Sequence, residues 1–254
     1  MVPPLPPRPP TPPSVAKSTT LTHFFSSSSL PSTAQHSPIL RLGSLAPDFW
    51  AQTTLGPIQF HTWLGNSWCV LFSHPADFTP VCTTELGAVS RRIKEFRERG
   101  VKVIGLSVDD LEDHAEWIKD INALHQVDLR FPLIADKDRR ISRLYDMLDD
   151  PTHDPSNVNP SGAPMTVRSI FIIDPVKRIR LIFTYPASCG RNFDELIRVI
   201  DSLFLTDQRR VTTPVDWSPG DEVIIHPSVS NEEAKNLFPN YRMVKPYYRT
   251  TQLP

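Results

Sequence analysis

The sequence predicts an α/β layered domain with a mixed central sheet flanked by helices. Short apolar runs of strand length and strand-like composition occur at Trp68–Phe72, Val101–Val108, Ser169–Ile173 and Ile179–Phe183. Between and after them lie longer segments whose apolar residues recur at helical spacing. Strands alternating with such helices bury both faces of a sheet and define the α/β class.

The first 41 residues stand apart. Eight of the first thirteen are proline, Ser26 to Ser29 form a serine run, and no acidic residue precedes Asp48, whereas Arg8, Lys17 and Arg41 are basic. Such a segment buries too little apolar surface to offset its ordering entropy, so disorder is expected. A serine-rich, acid-poor, basic composition also reads as a mitochondrial transit peptide, although the prolines oppose the amphipathic helix such signals use. A plain tail, with a cytoplasmic protein, or an unused upstream start codon are the other readings. An apolar signal core is absent from the segment.

From 42 to 205 the elements follow in order. Trp68–Phe72 is the first strong strand. Cys82, Leu86, Val89, Ile93 and Phe96 then recur at offsets of 4, 7, 11 and 14, and Gly100 closes that helix. Val101–Val108 is the next strand. Behind Asp109 and Asp110, which suit a helix N-terminus, the predicted buried stripe is Leu111, Ala115, Ile118 and Ile121. Ser169–Ile173 and Ile179–Phe183 flank Asp174-Pro175-Val176-Lys177-Arg178 and read as a hairpin, whereas the earlier strands, separated by helices, should lie parallel or mixed. Asn192 followed by Glu195 resembles a capping box for a helix with Phe193, Leu196, Ile197, Ile200, Leu203 and Phe204 on one face. Residues 206–254 are richer in proline and charge. Pro214, Pro219, Pro227, Pro239 and Pro246 break any long element there, and about fifty residues are too few for a strong independent core.

Composition excludes several function classes. A formal net charge of -1 with 27 basic and 28 acidic residues supplies no field to recruit nucleic acid or an anionic membrane. Runs of about eighteen consecutive apolar residues, the length a spanning helix needs, do not occur. The three cysteines, Cys69, Cys82 and Cys189, are too far apart for a Cys-x-x-Cys pair, a zinc site or a disulfide framework. The histidines are scattered and His153-Asp154 lies in a proline-flanked loop, so neither metal nor cofactor is expected.

The chemistry concentrates where a strand meets a helix. In His74-Pro-Ala-Asp-Phe-Thr-Pro-Val-Cys82-Thr-Thr-Glu85 the cysteine falls in the first turn of the helix. Unsatisfied N–H groups and the positive end of the helix dipole favour a thiolate there, and the thiolate is the nucleophile. Thr79 supplies a hydroxyl beside it, and Pro75 and Pro80 stiffen the loop. Position alone does not decide the matter, because free cysteine is among the most buried residue types and Cys82 shares its helix's apolar stripe.

The segment Pro75-Ala-Asp-Phe-Thr79-Pro-Val-Cys82 resembles the Pro-x-x-x-Thr-x-x-Cys loop of peroxiredoxins, and its extension through Glu85 resembles the one-cysteine class. Trp117–Asn122, Tyr185–Glu195 and Thr213–Asp221 are similar to stretches of that class in the same order, so the resemblance covers residues 42–254. It implies a thioredoxin-like fold with a C-terminal extension at 206–254 that helps form a homodimer. It also implies a thiol peroxidase active on hydrogen peroxide and organic hydroperoxides. Cys82 attacks the O–O bond and becomes a sulfenic acid, with Thr79 and the arginine of Thr166-Val-Arg168 holding the peroxide. His74 matches a histidine near the sulfur, Arg191 in the Gly-Arg-Asn turn is expected as a second arginine near the site, and Glu85 is expected to tie the arginines together. The sulfenic acid is then resolved by an external thiol, from glutathione with a glutaredoxin-type or transferase partner or from thioredoxin.

Cys189 is expected not to resolve Cys82, since disulfide geometry is strict and a turn position is weak ground for it; Cys69, mid-strand, reads as core. Some members of the class also cleave phospholipids. Here Gly65-Asn-Ser67-Trp-Cys69 and His61 stand at the matching positions, but Cys69 replaces a glycine of the serine turn and Val176 the aspartate, with Asp174 nearby. A peroxide sensor, redox relay or chaperone on the same fold is the alternative to an enzyme.

Overall fold

The computed structural model describes residues 40–150, 152 and 154–253. The expected disordered tail and transit signal therefore lie outside the described residues except for Leu40 and Arg41, as does His153. Two short strands, β1 (Trp50–Ala51) and β2 (Ile58–Gln59), pair antiparallel and lead into the one-turn helix α1 (Phe60–Leu64). Then follow β3 (Trp68–Ser73), α2 (Pro80–Glu98), β4 (Val101–Ser107), α3 (Leu111–His125), β5 (Leu133–Ala135), α4 (Arg140–Leu144), β6 (Arg168–Ile173), β7 (Ile179–Tyr185) and α5 (Phe193–Gln208).

The central sheet has the order β5-β4-β3-β6-β7. β3 pairs parallel with β4, and β4 with β5, while β6 joins β3 and β7 antiparallel. The sheet is mixed, as predicted, and β6–β7 is the predicted hairpin. Both faces are covered, so the strands are apolar throughout and the period-two alternation sorts their residues between two cores. Val70 and Phe72 of β3 and Ile170 and Ile172 of β6 face α2, α3 and α5, whereas Cys69, Leu71, Phe171 and Ile173 face the side with Phe60, Ile141 and Tyr145.

The helix termini follow local chemistry. Pro80 opens α2, where its missing N–H costs nothing and its φ is already helical. Asp110 caps α3, its carboxylate accepting from the N–H groups of Glu112 and Asp113. The buried face of α3 differs from the predicted stripe: His114, Trp117 and Ile121 are buried, while Leu111 is 36% exposed and Ala115 is exposed. The stripe sits one position along because a histidine, satisfied by a buried carboxylate, occupies a core position that an apolar count skips. At α5, Asn192 caps as expected, but Glu195 turns to Arg198 instead of reaching back, so the reciprocal half of the box is missing. A complete capping box forms instead at Ser230 and Glu233.

The C-terminal region is more regular than its prolines suggest. Strands β8 (Val211–Thr212), β9 (Val223–Ile225), β10 (Arg242–Lys245) and β11 (Tyr248–Thr251) make a sheet of order β10-β11-β9-β8, with helix α6 (Asn231–Leu237) between β9 and β10. Val211, Trp217, Val223, Ile225, Ala234 and Phe238 form its small core, onto which Leu205 of α5 also packs. Among the described residues, no helix is long and apolar enough to cross a membrane.

Candidate active site

The site is assembled where β3 ends and α2 begins, and the arginines come from β6 and from the turn before α5. Cys82 is the third residue of α2 and is fully buried, packed with Leu86, Phe72 and Trp117. Its position in the first turn places the sulfur at the end of the helix where N–H groups lack carbonyl partners.

Arg168, the first residue of β6, is 3% exposed. Its Nη1 donates to the Cys82 sulfur at 3.3 Å and to Glu85 Oε2 at 2.8 Å. Nε and Nη2 both donate to the Ala187 carbonyl, at 2.9 and 2.6 Å. The guanidinium plane is thus fixed at both edges. Of its five N–H groups these bonds use four, which leaves one on Nη2 for an incoming oxygen.

Glu85 stands one turn along α2 and receives both arginines. Arg191 clasps it with Nε at 3.0 Å, Nη2 at 2.7 Å and its own backbone N–H at 2.8 Å, and gives Nη1 to the carbonyls of Ser73 and Ser169. The Arg191 guanidinium also lies over the rings of Phe72 and Phe193. Burial works to raise the Glu85 carboxyl, but the charge and hydrogen bonds of Arg191, then the charge of Arg168, outweigh it and hold it below the usual range. Arg191 reaches the sulfur only through Glu85 and Arg168, so its place is to hold the carboxylate that aims Arg168.

Thr79 caps α2 without using its side chain as a cap. Its hydroxyl donates to the Ala76 carbonyl at 2.9 Å, and its own carbonyl accepts from Thr83 Oγ1 at 2.7 Å. With its proton committed, the Thr79 oxygen keeps acceptor capacity, while Arg168 keeps one N–H to donate. Thr83 accepts in turn from Trp117 Nε1 at 3.1 Å, which ties the first turn of α2 to α3. Phe78, Thr79, Pro80, Thr83, Trp117 and Leu124 line an open cavity of about 470 Å³ beside this turn. A larger concavity of about 580 Å³, lined by Arg209, Phe238 and Leu253 among others, lies in the C-terminal region and holds no nucleophile.

Pro75 is buried, and His74 is fully buried with Nε2 2.8 Å from Asp77 Oδ1. The structure brings the predicted Cys82, Glu85, Arg168 and Arg191 into one hydrogen-bonded network, with Thr79 in the same turn and His74 and Pro75 in the loop before it. Sequence reasoning missed the Ala187 carbonyl, a backbone group with no side-chain signature, the buried partners Asp77 and His114, and the bond that half-buried Asp109 makes to Asp77. The His74-x-x-Asp77 spacing was a usable signal for Asp77; nothing local pointed to His114. His74, Asp77 and Asp109 offer atoms within 4.8 Å of one another, and the bonds they form are among themselves, His114 and Ser107.

The other cysteines are separate. Cys69 is buried on the opposite face of the sheet, where burial pushes its thiol far up, and Cys189 is exposed in the turn after Pro186. At the hydrolase positions, His61 Nε2 bonds the Ala46 carbonyl and its Nδ1 lies 4.0 Å from Asp48, while Asp174 accepts from the Arg178 N–H in the β6–β7 turn.

Comparison with known proteins shows the family. The AhpC/TSA family profile matches residues 42–182, and that of the C-terminal domain of 1-Cys peroxiredoxin matches residues 203–240. Mitochondrial peroxiredoxin PRX1 of Saccharomyces cerevisiae is 54% identical over 216 residues, 85% of this chain and 82% of that protein. Human peroxiredoxin-6 is 50% identical over 204 residues, 79% of this chain and 89% of that protein. Among solved structures, a cysteine-to-serine variant of peroxiredoxin 6 from Arenicola marina superposes with a TM-score of 0.81 at 49% identity, covering 85% of this chain and 99% of that one. A yeast mitochondrial 1-Cys peroxiredoxin, studied for thiol resolution via glutathione/thioredoxin systems, gives 0.77 at 52% identity, covering 84% and 100%. These matches run the length of both regions in order, and the chain accordingly belongs to the AhpC/TSA family as a one-cysteine peroxiredoxin, a thiol-dependent peroxidase with a thioredoxin-like fold.

Proposed function

We propose that Cys82 is the peroxidatic residue and that Arg168 and Thr79 hold the substrate. The observation that carries this is the 3.3 Å contact between Arg168 Nη1 and a sulfur at the N-terminus of a helix. In the reaction the Cys82 thiolate attacks the terminal oxygen of a hydroperoxide, the S–O bond forms as the O–O bond breaks, and the departing alkoxide or hydroxide takes a proton. Cys82 is left as a sulfenic acid. Arg168 stabilises the charge moving onto the leaving oxygen, and Thr79 accepts a hydrogen bond from the peroxide O–H, whose hydrogen stays on the oxygen that joins the sulfur. Glu85 and Arg191 fix Arg168, while His74 and Pro75 shape the loop.

An external thiol completes the cycle. Cys189 is exposed and Cys82 fully buried, with both thiols free, and the solved yeast relative was studied for resolution via glutathione/thioredoxin systems, so one of these is the reductant here. Residues 42–205 form the peroxidase domain and 206–254 an extension for homodimerisation. The yeast mitochondrial relative and the basic, acid-poor segment 1–41 together support import into mitochondria.

The test is stopped-flow oxidation by hydrogen peroxide of the wild type and Cys82→Ser, with sulfenic acid trapped and mapped. Fast oxidation lost only in Cys82→Ser is expected; equal losses in Cys69 and Cys189 variants would overturn the assignment. Repeated turnover with a small thiol separates an enzyme from a single-use sensor.

A further inference from the structure

Four segments meet around Asp77 and His114. Oδ1 accepts from His74 Nε2 at 2.8 Å, at the end of β3. Oδ2 is 2.5 Å from His114 Nδ1, on α3. The Asp77 backbone N–H donates at 2.9 Å to Asp109 Oδ2, after β4, which also accepts from Ser107 Oγ at 2.6 Å. His114 Nε2 lies 3.1 Å from the Ile134 carbonyl of β5. Asp77 and both histidines are buried.

Donor and acceptor bookkeeping fixes the protons. His114 faces an acceptor at each ring nitrogen, so with Asp77 ionised both nitrogens carry hydrogen and the ring is an imidazolium. The ring's electrostatic neighbours are Asp77 and Asp109, with His74 at 6.3 Å between ring centroids. Burial works to lower His114, and the bond and charge of Asp77 overcome it and raise it. His74 faces a carboxylate through Nε2, so that nitrogen carries its hydrogen. Nδ1 of His74 is buried and without a partner among the described residues, so in the neutral ring it is the nitrogen without a hydrogen.

We propose that the buried Asp77–His114 ion pair positions the peroxide site, by fixing His74 as the Nε2–H tautomer and by pinning the turn that carries Thr79. The turn needs such a hold. Phe78, between Asp77 and Thr79, sits at φ 54, a left-handed conformation that an aromatic residue rarely adopts, and it is 54% exposed, with its ring set against Trp117 at 6.5 Å between centroids, so packing covers only part of it. The Thr79 hydroxyl is anchored on the carbonyl of Ala76, next to the clamped residue. A buried ion pair is a poor way to gain stability and a known way to specify one arrangement, and this one specifies the loop leading into Cys82. The inference rests on Cys82 being the reacting sulfur.

The first measurement is two-bond ¹H–¹⁵N NMR of the histidine rings in the intact wild-type protein from about pH 5 to 10. A doubly protonated His114 at neutral pH and a His74 protonated on Nε2 alone are expected; a neutral His114 at pH 7, or His74 protonated on Nδ1, overturns the proposal without any variant having to fold. The second is the rate of Cys82 oxidation in Asp77→Asn and His114→Gln. An amide cannot accept from both histidines, so Asp77→Asn should shift the His74 tautomer and slow oxidation at least about tenfold with the fold retained. The wild-type rate should fall on the alkaline side as His114 loses its proton, and His114→Gln should lack that limb. Wild-type rates in both variants, or slower rates with the wild-type pH profile and an unchanged His74, would reduce the pair to a structural element. If instead Cys82→Ser still reacts with peroxide, the site assignment fails while the NMR result stands by itself.

Discussion

Arg168 touches the Cys82 sulfur with the same nitrogen, Nη1, that it gives to Glu85, and its opposite edge is closed on the Ala187 carbonyl. The charge beside the sulfur is therefore held by a planar fork rather than by a flexible chain. Arg168→Gln should lower the second-order rate constant for hydrogen peroxide by about 10²–10³, the usual cost of losing one preorganised donor to developing charge. Arg168→Lys should recover only part of it, because a single ammonium cannot span sulfur, carboxylate and carbonyl together. Stopped-flow fluorescence at one fixed pH measures both.

Glu85 is 3% exposed between two buried guanidinium groups. Glu85→Gln leaves both cations uncompensated and should destabilise the protein by about 3–5 kcal/mol, in line with breaking buried ion pairs from one side. Urea denaturation followed by circular dichroism tests it; an unchanged midpoint would mean that water or another anion takes the carboxylate's place.

Stability should fall at both ends of the pH range for separate reasons. The Asp77 carboxyl is pushed up by burial but brought down to about 2 by the hydrogen bonds from His114 and His74. A lowered native value gives stability present in full above the unfolded value near 3.8 and lost as pH falls toward 2, worth about 2 kcal/mol. His114 is raised, so its contribution is complete below about 6.5 and fades as pH rises through its native value. Chemical denaturation at a series of pH values should show both losses, and His114→Gln should remove the alkaline one and shrink the acid one, because the His114 bond is the first of the causes that lower Asp77.

Thiol labelling should separate the three cysteines. Cys189 is exposed, whereas Cys69 and Cys82 are at 0% exposure, and burial holds Cys69 protonated. A bulky maleimide should therefore modify Cys189 first in the native protein and Cys69 only on unfolding, with mass spectrometry of timed aliquots as the readout.

Much of this was legible in the sequence. The strands Trp68–Ser73, Val101–Ser107 and the β6–β7 hairpin were visible because both faces are buried, which makes their runs continuously apolar. The α2 stripe was legible because its core positions are apolar from Cys82 to Phe96. On α3 the same count failed, since His114 fills a core position by pairing with Asp77, a partner 37 residues away that no periodicity reveals. Cys82, Thr79, Arg168 and Glu85 were read from a motif, yet the role of Arg191 as the clasp of Glu85 follows only from α2 and the turn before α5 meeting in space. The C-terminal sheet was hidden because strands of two to four residues carry almost no pattern.

The complete burial of Cys82 divides the catalytic cycle by size. With no solvent contact at the resting sulfur, even a two-oxygen molecule enters through side-chain motion at the Thr79 turn. A thiol with a peptide or a protein behind it needs more room, and the first turn of α2 has to open before it can reach a sulfenic acid at the same position. Oxidation and reduction thus present different barriers to the same atom. On the proposed cycle the shelter would act as a kinetic sieve, easier for a small oxidant to pass than for a bulky reductant.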